Sequence, residues 1–389
     1  NFTLTGGGFE WTTSGEFFRV NYNYADRYLL EVNGRYDGSS KFPTGQQFGF
    51  FPSVSAGWRL SQEPFWKVSS KLISNLKIRA SLGSLGNGNV DPYEYLETMP
   101  VSQLGRMIGG VNPMTSNDPN VLPDGLTWEK VTTANLGVDM NLLNDRLSVT
   151  FDRYIRYTTG MFTAGLPLPG VFGASVPEGN YADMKTNGWE LSIGWNDQVG
   201  SAHPFRYSII ASLSDNRSEV TRFNNPNGLI SSYYKGEILG DIWGYQTNGL
   251  YKDADDVASA PDQSKVPANV SKKDELEPGD VKFVDRDGDG KITSGAETLD
   301  DHGDMLIIGN TQPRYLFGFT GNAEWRHVSF SIFMQGVGKR QWWPGQDASF
   351  FWGQYNRPYG FEPMDTYKQQ WSPDRPDALF TANNACTIC

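Results

Sequence analysis

Asp285-Arg286-Asp287-Gly288-Asp289-Gly290-Lys291-Ile292 is the stretch with the sharpest chemical spacing in the chain. Carboxylates at the first, third and fifth positions of a loop, with glycine at the sixth for the sharp turn, match the start of an EF-hand-type calcium loop. The seventh position would offer the Lys291 carbonyl and the ninth Thr293. Where a bidentate acid is expected at the twelfth, the chain has Ala296. Glu297 follows one residue later, and Asp300, Asp301 and Asp304 are the substitutes at hand. Asp285, Asp287, Asp289 and Lys291 are therefore candidate calcium ligands. The alternative is an Asp/Gly-rich turn satisfied by its own backbone.

A second candidate is the stretch QWWPGQDASFFWGQYNRPYGF at 341–361. Sugar rings have apolar faces and hydrogen-bonding edges, so they suit flat aromatic surfaces with polar neighbours. Trp342, Trp343, Phe351, Trp352 and Tyr355 beside Gln341, Gln346, Asp347 and Asn356 supply that mixture, for a sugar or a peptide side chain. The alternative is an aromatic girdle at a membrane interface, or a loop packed on itself. The two cysteines, Cys386 and Cys389, have the spacing of a redox or metal pair. With no second pair and no histidine nearby, a tail without structural role accounts for them as well. His203, His302 and His327 are scattered, and no nucleophile elbow, HExxH or phosphate loop is present. Nothing in the residues points to catalysis.

The elements that must position these loops are hairpins. In TTANLGVDMNLLNDRLSVTFDRYIRY, 132–157, Ala134, Leu136, Val138, Met140 and Leu142 alternate with Asn135, Gly137, Asp139 and Asn141. After a turn at Asn144-Asp145, Leu147, Val149, Phe151, Ile155 and Tyr157 alternate with Ser148, Thr150, Asp152, Tyr154 and Arg156; Arg153 is the one charge on the apolar side. Period two on both arms predicts a β-hairpin. Arms of about ten residues suffice for a tilted strand to cross a bilayer. The same pattern recurs at 15–39, around a turn at Ala25-Asp26-Arg27, and in 48–60 with 75–86. It returns in 186–197 with 205–221, and in 313–325 with 327–338 around Arg326. Residues 61–74 read as a short helical link capped by Ser61, with Glu63 and Pro64 in its first turn.

These spacings predict about ten strands in five hairpins. Connections alternate between short or helical (25–27, 61–74, 144–145, 198–204, 326) and long (40–47, 88–131, 162–185, 222–312 and beyond 340). All long loops therefore leave one end of the sheet, the asymmetry of outer-membrane barrels, whose long loops are extracellular. Asp and Glu number 44 against 33 Lys and Arg, an acidic balance that argues against a nucleic-acid partner. No apolar run reaches the roughly 18 residues of a membrane helix. A barrel needs none, since only alternate residues meet lipid. A soluble sandwich or propeller would also alternate. Against it stand aromatics at strand ends, Trp58, Tyr157, Trp189, Trp195 and Trp325, and charges along the opposite face.

Seven segments, in order, carry a resemblance that covers nearly the whole chain: YLLEVNGRYDGSSKF, FGFFPSVSAGWRLSQEPF, LKIRASLGSLGN, LTWEKVTTANLGVDMNLLNDRLSVTFDRYIR, NGWELSIGW, GDVKFVDRDGDGKI and IIGNTQPRYLFGF. With them the chain resembles the SusC/RagA-like TonB-dependent outer-membrane transporters. The resemblance implies an all-β fold, an antiparallel transmembrane barrel of about 22 strands closed by an N-terminal plug. It implies a SusD-like surface lipoprotein as lid, and TonB-driven import of oligosaccharides or peptides, without enzymatic activity. On this reading residues 1–389 form part of a single barrel domain, its middle and later portion, with the plug, TonB box and terminal strands absent. The alternative functions are a soluble extracellular glycan-binding β protein and a β-rich glycosidase.

Overall fold

The computed structural model describes residues 7–116, 118–123, 125–165, 168–173, 176–266, 276–342 and 364–381. Its strands, in chain order, begin with β1 (Thr13–Tyr24), β2 (Tyr28–Ser39), β3 (Phe48–Arg59), β4 (Ile73–Asn87), β5 (Val101–Gln103) and β6 (Met114–Ser116). They continue with β7 (Glu129–Leu142), β8 (Leu147–Ala164), β9 (Glu178–Val199), β10 (Phe205–Arg222), β11 (Asp241–Tyr245) and β12 (Thr247–Leu250). The last are β13 (Val281–Phe283), β14 (Met305–Asn310), β15 (Arg314–Trp325) and β16 (Val328–Lys339). Two one-turn helices, α1 (Ala254–Ala258) and α2 (Met364–Lys368), and two short 3₁₀ turns are the helical content among the described residues. No helix there is long and apolar enough to cross a membrane.

Ten strands form one sheet in the order β1-β2-β3-β4-β7-β8-β9-β10-β15-β16. Every neighbouring pair is antiparallel, so the sheet is a meander whose longer connections carry the smaller strands. The register confirms the alternation. Leu136 lies opposite Ala80 and Arg153, and Val138 opposite Ile78 and Phe151; Ile193 lies opposite Val149 and Ala211. Leu136 is 55% exposed and Ile193 40%, so the apolar row is not buried between stacked sheets. It is an exposed apolar face that continues through Tyr22, Leu30, Val54, Leu82, Phe317 and Phe330. The polar residues share the opposite face, which is concave and holds a hollow of about 310 Å³ between Asn33, Arg35, Ser53, Ser81 and Asn135. Apolar outside and polar inside is the arrangement of a barrel wall in lipid.

Short turns take left-handed backbone. Ala25 and Asp26 have φ of 52° and 54°, and the Arg27 N–H donates to the Tyr24 carbonyl at 3.0 Å. The Asn23 and Asp26 side chains brace this turn, with the Asp26 N–H donating to Asn23 Oδ1. Leu143, Asn144 and Asp145 are all left-handed between β7 and β8. Both turns lie where the spacing puts them, and so does that at Arg326.

The 61–74 link differs from expectation. Only Leu60–Gln62 forms a 3₁₀ turn, and Ser61 caps no helix: its Oγ accepts the Leu76 N–H at 3.1 Å. Glu63 instead takes the Trp58 indole N–H at 2.8 Å and pairs with Arg27 at 3.5 Å. The acid thus closes the strand end rather than starting a helix. Strands are also longer than their period-two stretches. β8 and β9 run through much of the predicted loop 162–185, with bulges between Thr158 and Phe162.

A second compact unit comprises residues 225–234, 239–312 and 340–389, as against a strand body of 1–224, 235–238 and 313–339. Within it β11 pairs with β14 and β12 with β13. Tyr251, Ala260 and Leu276 form a small core under Val257. Its largest fully buried side chains include Tyr251, Gln263, Ile292 and Asp304, and the Gln263 amide donates to the Tyr251 hydroxyl at 2.6 Å.

Candidate functional site

The acidic loop lies in the second unit, between β13 and β14. Asp285, Asp287 and Asp289 each offer a carboxylate oxygen within 4.8 Å of the others. Gly288 and Gly290, with φ of 77° and 81°, give the backbone the left-handed turns that bring them together. The carboxylates also organise the loop. Asp285 accepts N–H groups from Gly288 at 2.7 Å and Gly290 at 2.8 Å; Asp287 accepts that of Asp289, and Asp289 that of Lys291. The Gly290 N–H, joined by that of Gly288, holds the Asp285 carboxyl below the ordinary carboxylate range.

Asp304, one of the substitutes for the missing twelfth-position acid, has another task. It is 1% exposed, and its two oxygens accept the N–H groups of Arg286 at 2.7 Å and Thr293 at 2.8 Å. It braces both ends of the loop from within. Ile292 is fully buried, and its N–H donates to the Asp262 carbonyl, so this flank of the loop is fixed to a neighbouring segment. The fit to calcium is therefore partial: three convergent carboxylates on a braced loop, with the twelfth-position ligand supplied neither by Ala296 nor by Asp304.

Of the aromatic stretch, Trp342 is 67% exposed. It follows Gln341, whose N–H donates to the Asn310 carbonyl at 3.2 Å and whose side-chain oxygen accepts the Asn310 N–H at 3.1 Å. Trp343, Phe351, Trp352 and Tyr355 lie outside the described residues, as do Gln346, Asp347, Asn356 and the two cysteines.

The concave face carries a network that single-strand reading misses. Arg79 on β4 donates to both Asp139 oxygens on β7, at 2.8 and 2.9 Å, and to Asp152 on β8 at 3.0 Å. Lys77 pairs with Asp139 at 3.4 Å, and the Asn135 amide donates to Asp152 at 2.9 Å. Arg19–Glu31 and Arg35–Asp37 extend the charge pairing across β1 and β2. Gly137 makes room for this: a Cβ there would sit 2.5 Å from Asp152 and 2.8 Å from Arg79. Spacing within one strand shows that Lys77 and Arg79 share a face. Their partners lie some 60 residues away and need the register. At the short-turn end the same face holds a larger hollow of about 810 Å³, lined by Arg146, Asn196, Arg206, Asn322 and Glu324 among others.

Most of the strand body matches a known family. The family model described as "TonB dependent receptor-like, beta-barrel" matches residues 5–269. The chain belongs to this family. TonB-dependent receptor P3 of Formosa agariphila is 29% identical over 334 residues, covering 82% of this chain and 31% of the relative. TonB-dependent receptor SusC of Bacteroides thetaiotaomicron is 29% identical over 321 residues, covering 81% and 30%. The chain thus spans about a third of the length of the curated relatives it matches. The solved structure of the RagAB peptide transporter superposes with a TM-score of 0.64 at 20% identity, over 84% of this chain and 33% of that one. At that identity the likeness shows the fold: ten strands of a transmembrane barrel. As a TonB-dependent receptor barrel the chain resides in the bacterial outer membrane, its apolar face toward lipid.

Proposed function

We propose that the receptor to which this chain belongs imports large nutrients, oligosaccharides or peptides, through the outer membrane. A SusD-like surface lipoprotein acts with it, and TonB supplies the energy. The observation that carries this reading is the two-faced meander: an apolar face for lipid, an ion-paired face for a wet lumen, and long connections gathered at one end. A lumen lined by paired charges can pass or bind a polar solute without exposing unpaired charge. RagAB is by its description a peptide transporter, and SusC is by name a TonB-dependent receptor. The function needs no chemistry, so the receptor is not an enzyme. Uptake of defined oligosaccharide and peptide pools by cells with and without the intact gene is the test. Equal growth and uptake on every pool would remove the reading.

The loop Asp285–Lys291 is part of the same proposal, as a weak calcium site held by the carboxylates of Asp285, Asp287 and Asp289 and the Lys291 carbonyl. Extracellular calcium is near millimolar, so affinity in that range suffices. Calcium would supply a charge that tightens an already braced loop. Trp342 and Trp343 are proposed to face ligand or the lipoprotein. Replacing both by alanine in the intact transporter should lower uptake and leave heat-modifiable gel mobility unchanged. Unchanged uptake would make them girdle or packing residues.

A further inference from the structure

On β9 and β10 the apolar face ends at one row, while on β8 Ile155 and Tyr157 carry it past Arg153. Along β10 it runs Phe205, Tyr207, Ile209, Ala211, Leu213, and along β9 Trp195, Ile193, Leu191, Trp189. Phe205 to Leu213 is about 27 Å along the strand, or about 21 Å in height at a tilt of about 40°, close to an outer-membrane apolar band. Beyond it, on the side of the long connections, the same face turns basic. Arg153 on β8 lies opposite Trp189, Arg217 on β10 opposite Asn187, and Lys185 on β9 opposite Tyr157. Strand spacing and rise place the Arg217 Cα roughly 8 Å from that of Lys185 and roughly 12 Å from that of Arg153, with Arg153 and Lys185 roughly 14 Å apart, a span their long side chains can close.

These cations differ from most of those on the concave face, where Arg156 over the Tyr154 ring is an exception. There Arg19, Arg35, Lys77 and Arg79 each have a carboxylate partner. Among the described residues Arg153, Lys185 and Arg217 have no ion pair. Arg153 donates to the Gly188 carbonyl at 3.0 Å, and Lys185 stands 5.7 Å over the Tyr157 ring. Of the acids nearby, Asp215 is held by the Arg314 guanidinium, and Glu219 lies opposite Lys185. Three cations face one uncommitted carboxylate, at the depth where an outer-leaflet headgroup meets its acyl chains. In a chain of net charge −11, a positive patch on the lipid side calls for an anionic partner in the membrane.

We propose that Arg153, Lys185 and Arg217, with Trp189 and Tyr157, form a binding site for the phosphate of an outer-leaflet phosphorylated glycolipid of lipid A type, whose acyl chains lie along Leu191 and Leu213. Arginine contributes forked donors to phosphate oxygens and lysine a point charge, while the aromatic rings fit the interface. The test uses the intact receptor in neutral detergent, with bound lipid counted by native mass spectrometry. Lipid A should bind at least about tenfold more tightly than its dephosphorylated form, the effect of roughly one charge-assisted hydrogen bond. The combined variant Arg153→Gln, Lys185→Gln, Arg217→Gln should abolish that preference, and Arg206→Gln on the concave face should keep it. Millimolar inorganic phosphate should not compete, because it lacks the chains. Equal binding of the two lipids by the unaltered receptor overturns the site, and so does a preference that survives the triple variant. Displacement by inorganic phosphate would overturn the lipid assignment. The two-lipid comparison needs no variant, so it stands even where the triple variant fails to assemble.

Discussion

At the scale of single residues, the acidic loop makes the sharpest claims. Asp285 is held in its ionised form by backbone N–H groups of Gly290 and Gly288, so its carboxyl titrates low. A lowered folded value means that its contribution is complete above the ordinary aspartate range, near pH 4. The contribution is lost as pH falls through the lowered value. Protection of the Gly288 and Gly290 amides from exchange, relative to a free peptide at the same pH, should therefore be complete above the ordinary aspartate range and be lost as pH falls through the lowered value; protection that does not change with pH would mean the carboxylate does not hold the loop. Calorimetry on the full-length protein should show a calcium heat at millimolar concentration that Asp287→Ala removes. On the concave face, Arg79→Met would leave Asp139 and Asp152 facing each other without their shared cation. It should lower barrel stability by about 1–3 kcal/mol, read as the loss of heat-modifiable mobility at lower temperature. The DxDxDG spacing was legible because all its parts are local. The Arg79 network and the inward role of Asp304 were not, since charges 60 residues apart meet only through register.

At the scale of elements, period two located the ten sheet strands within a few residues, because each has one face in lipid and one in water. It failed where that contrast ends. The outer part of β9, Asn180–Lys185, mixes Asn180, Asp183 and Lys185 with Tyr181, Ala182 and Met184 and shows no apolar row, yet it continues the ladder against Tyr157–Phe162. The 61–74 link failed for a different reason. Ser61, Glu63 and Pro64 have the composition of a helix start, but their polar atoms are claimed by distant partners: Leu76 N–H takes Ser61, and Trp58 and Arg27 take Glu63. Hydrogen bonds from the Tyr28 hydroxyl, then the Trp58 indole, hold the Glu63 carboxyl low. Left-handed turns give a direct check. Ala25 has φ of 52°, which costs an L-residue about 1 kcal/mol, so Ala25→Gly should raise the melting temperature of the barrel and Ala25→Val should lower it. No difference between the two would show that strand pairing alone sets this hairpin.

At the scale of the whole molecule, β1 and β16 are paired on one side only among the described residues, and the apolar face has no protein cover. The 389-residue chain expressed by itself should therefore aggregate or require detergent. A monodisperse monomer in detergent-free buffer would contradict the lipid-facing assignment of Leu136 and Ile193. Barrel class was legible from alternation and loop asymmetry together. The second unit was not, because its strands are three to six residues long and its core rests on dispersed side chains such as Tyr251 and Ile292. That unit has a consequence for how the receptor is made. Most of it lies between β10 and β15, which both return to the short-turn side of the wall. Periplasmic assembly therefore has to send some ninety residues across the bilayer, with roughly the bulk of a small folded domain. A preformed core would be too large to follow a strand through, so this segment must travel unfolded and acquire its core only on arrival. Whatever stabilises it early, a cross-link or a tightly bound ion, would stall insertion of the whole barrel. A calcium site of the weak kind proposed, filled only outside, would avoid that trap.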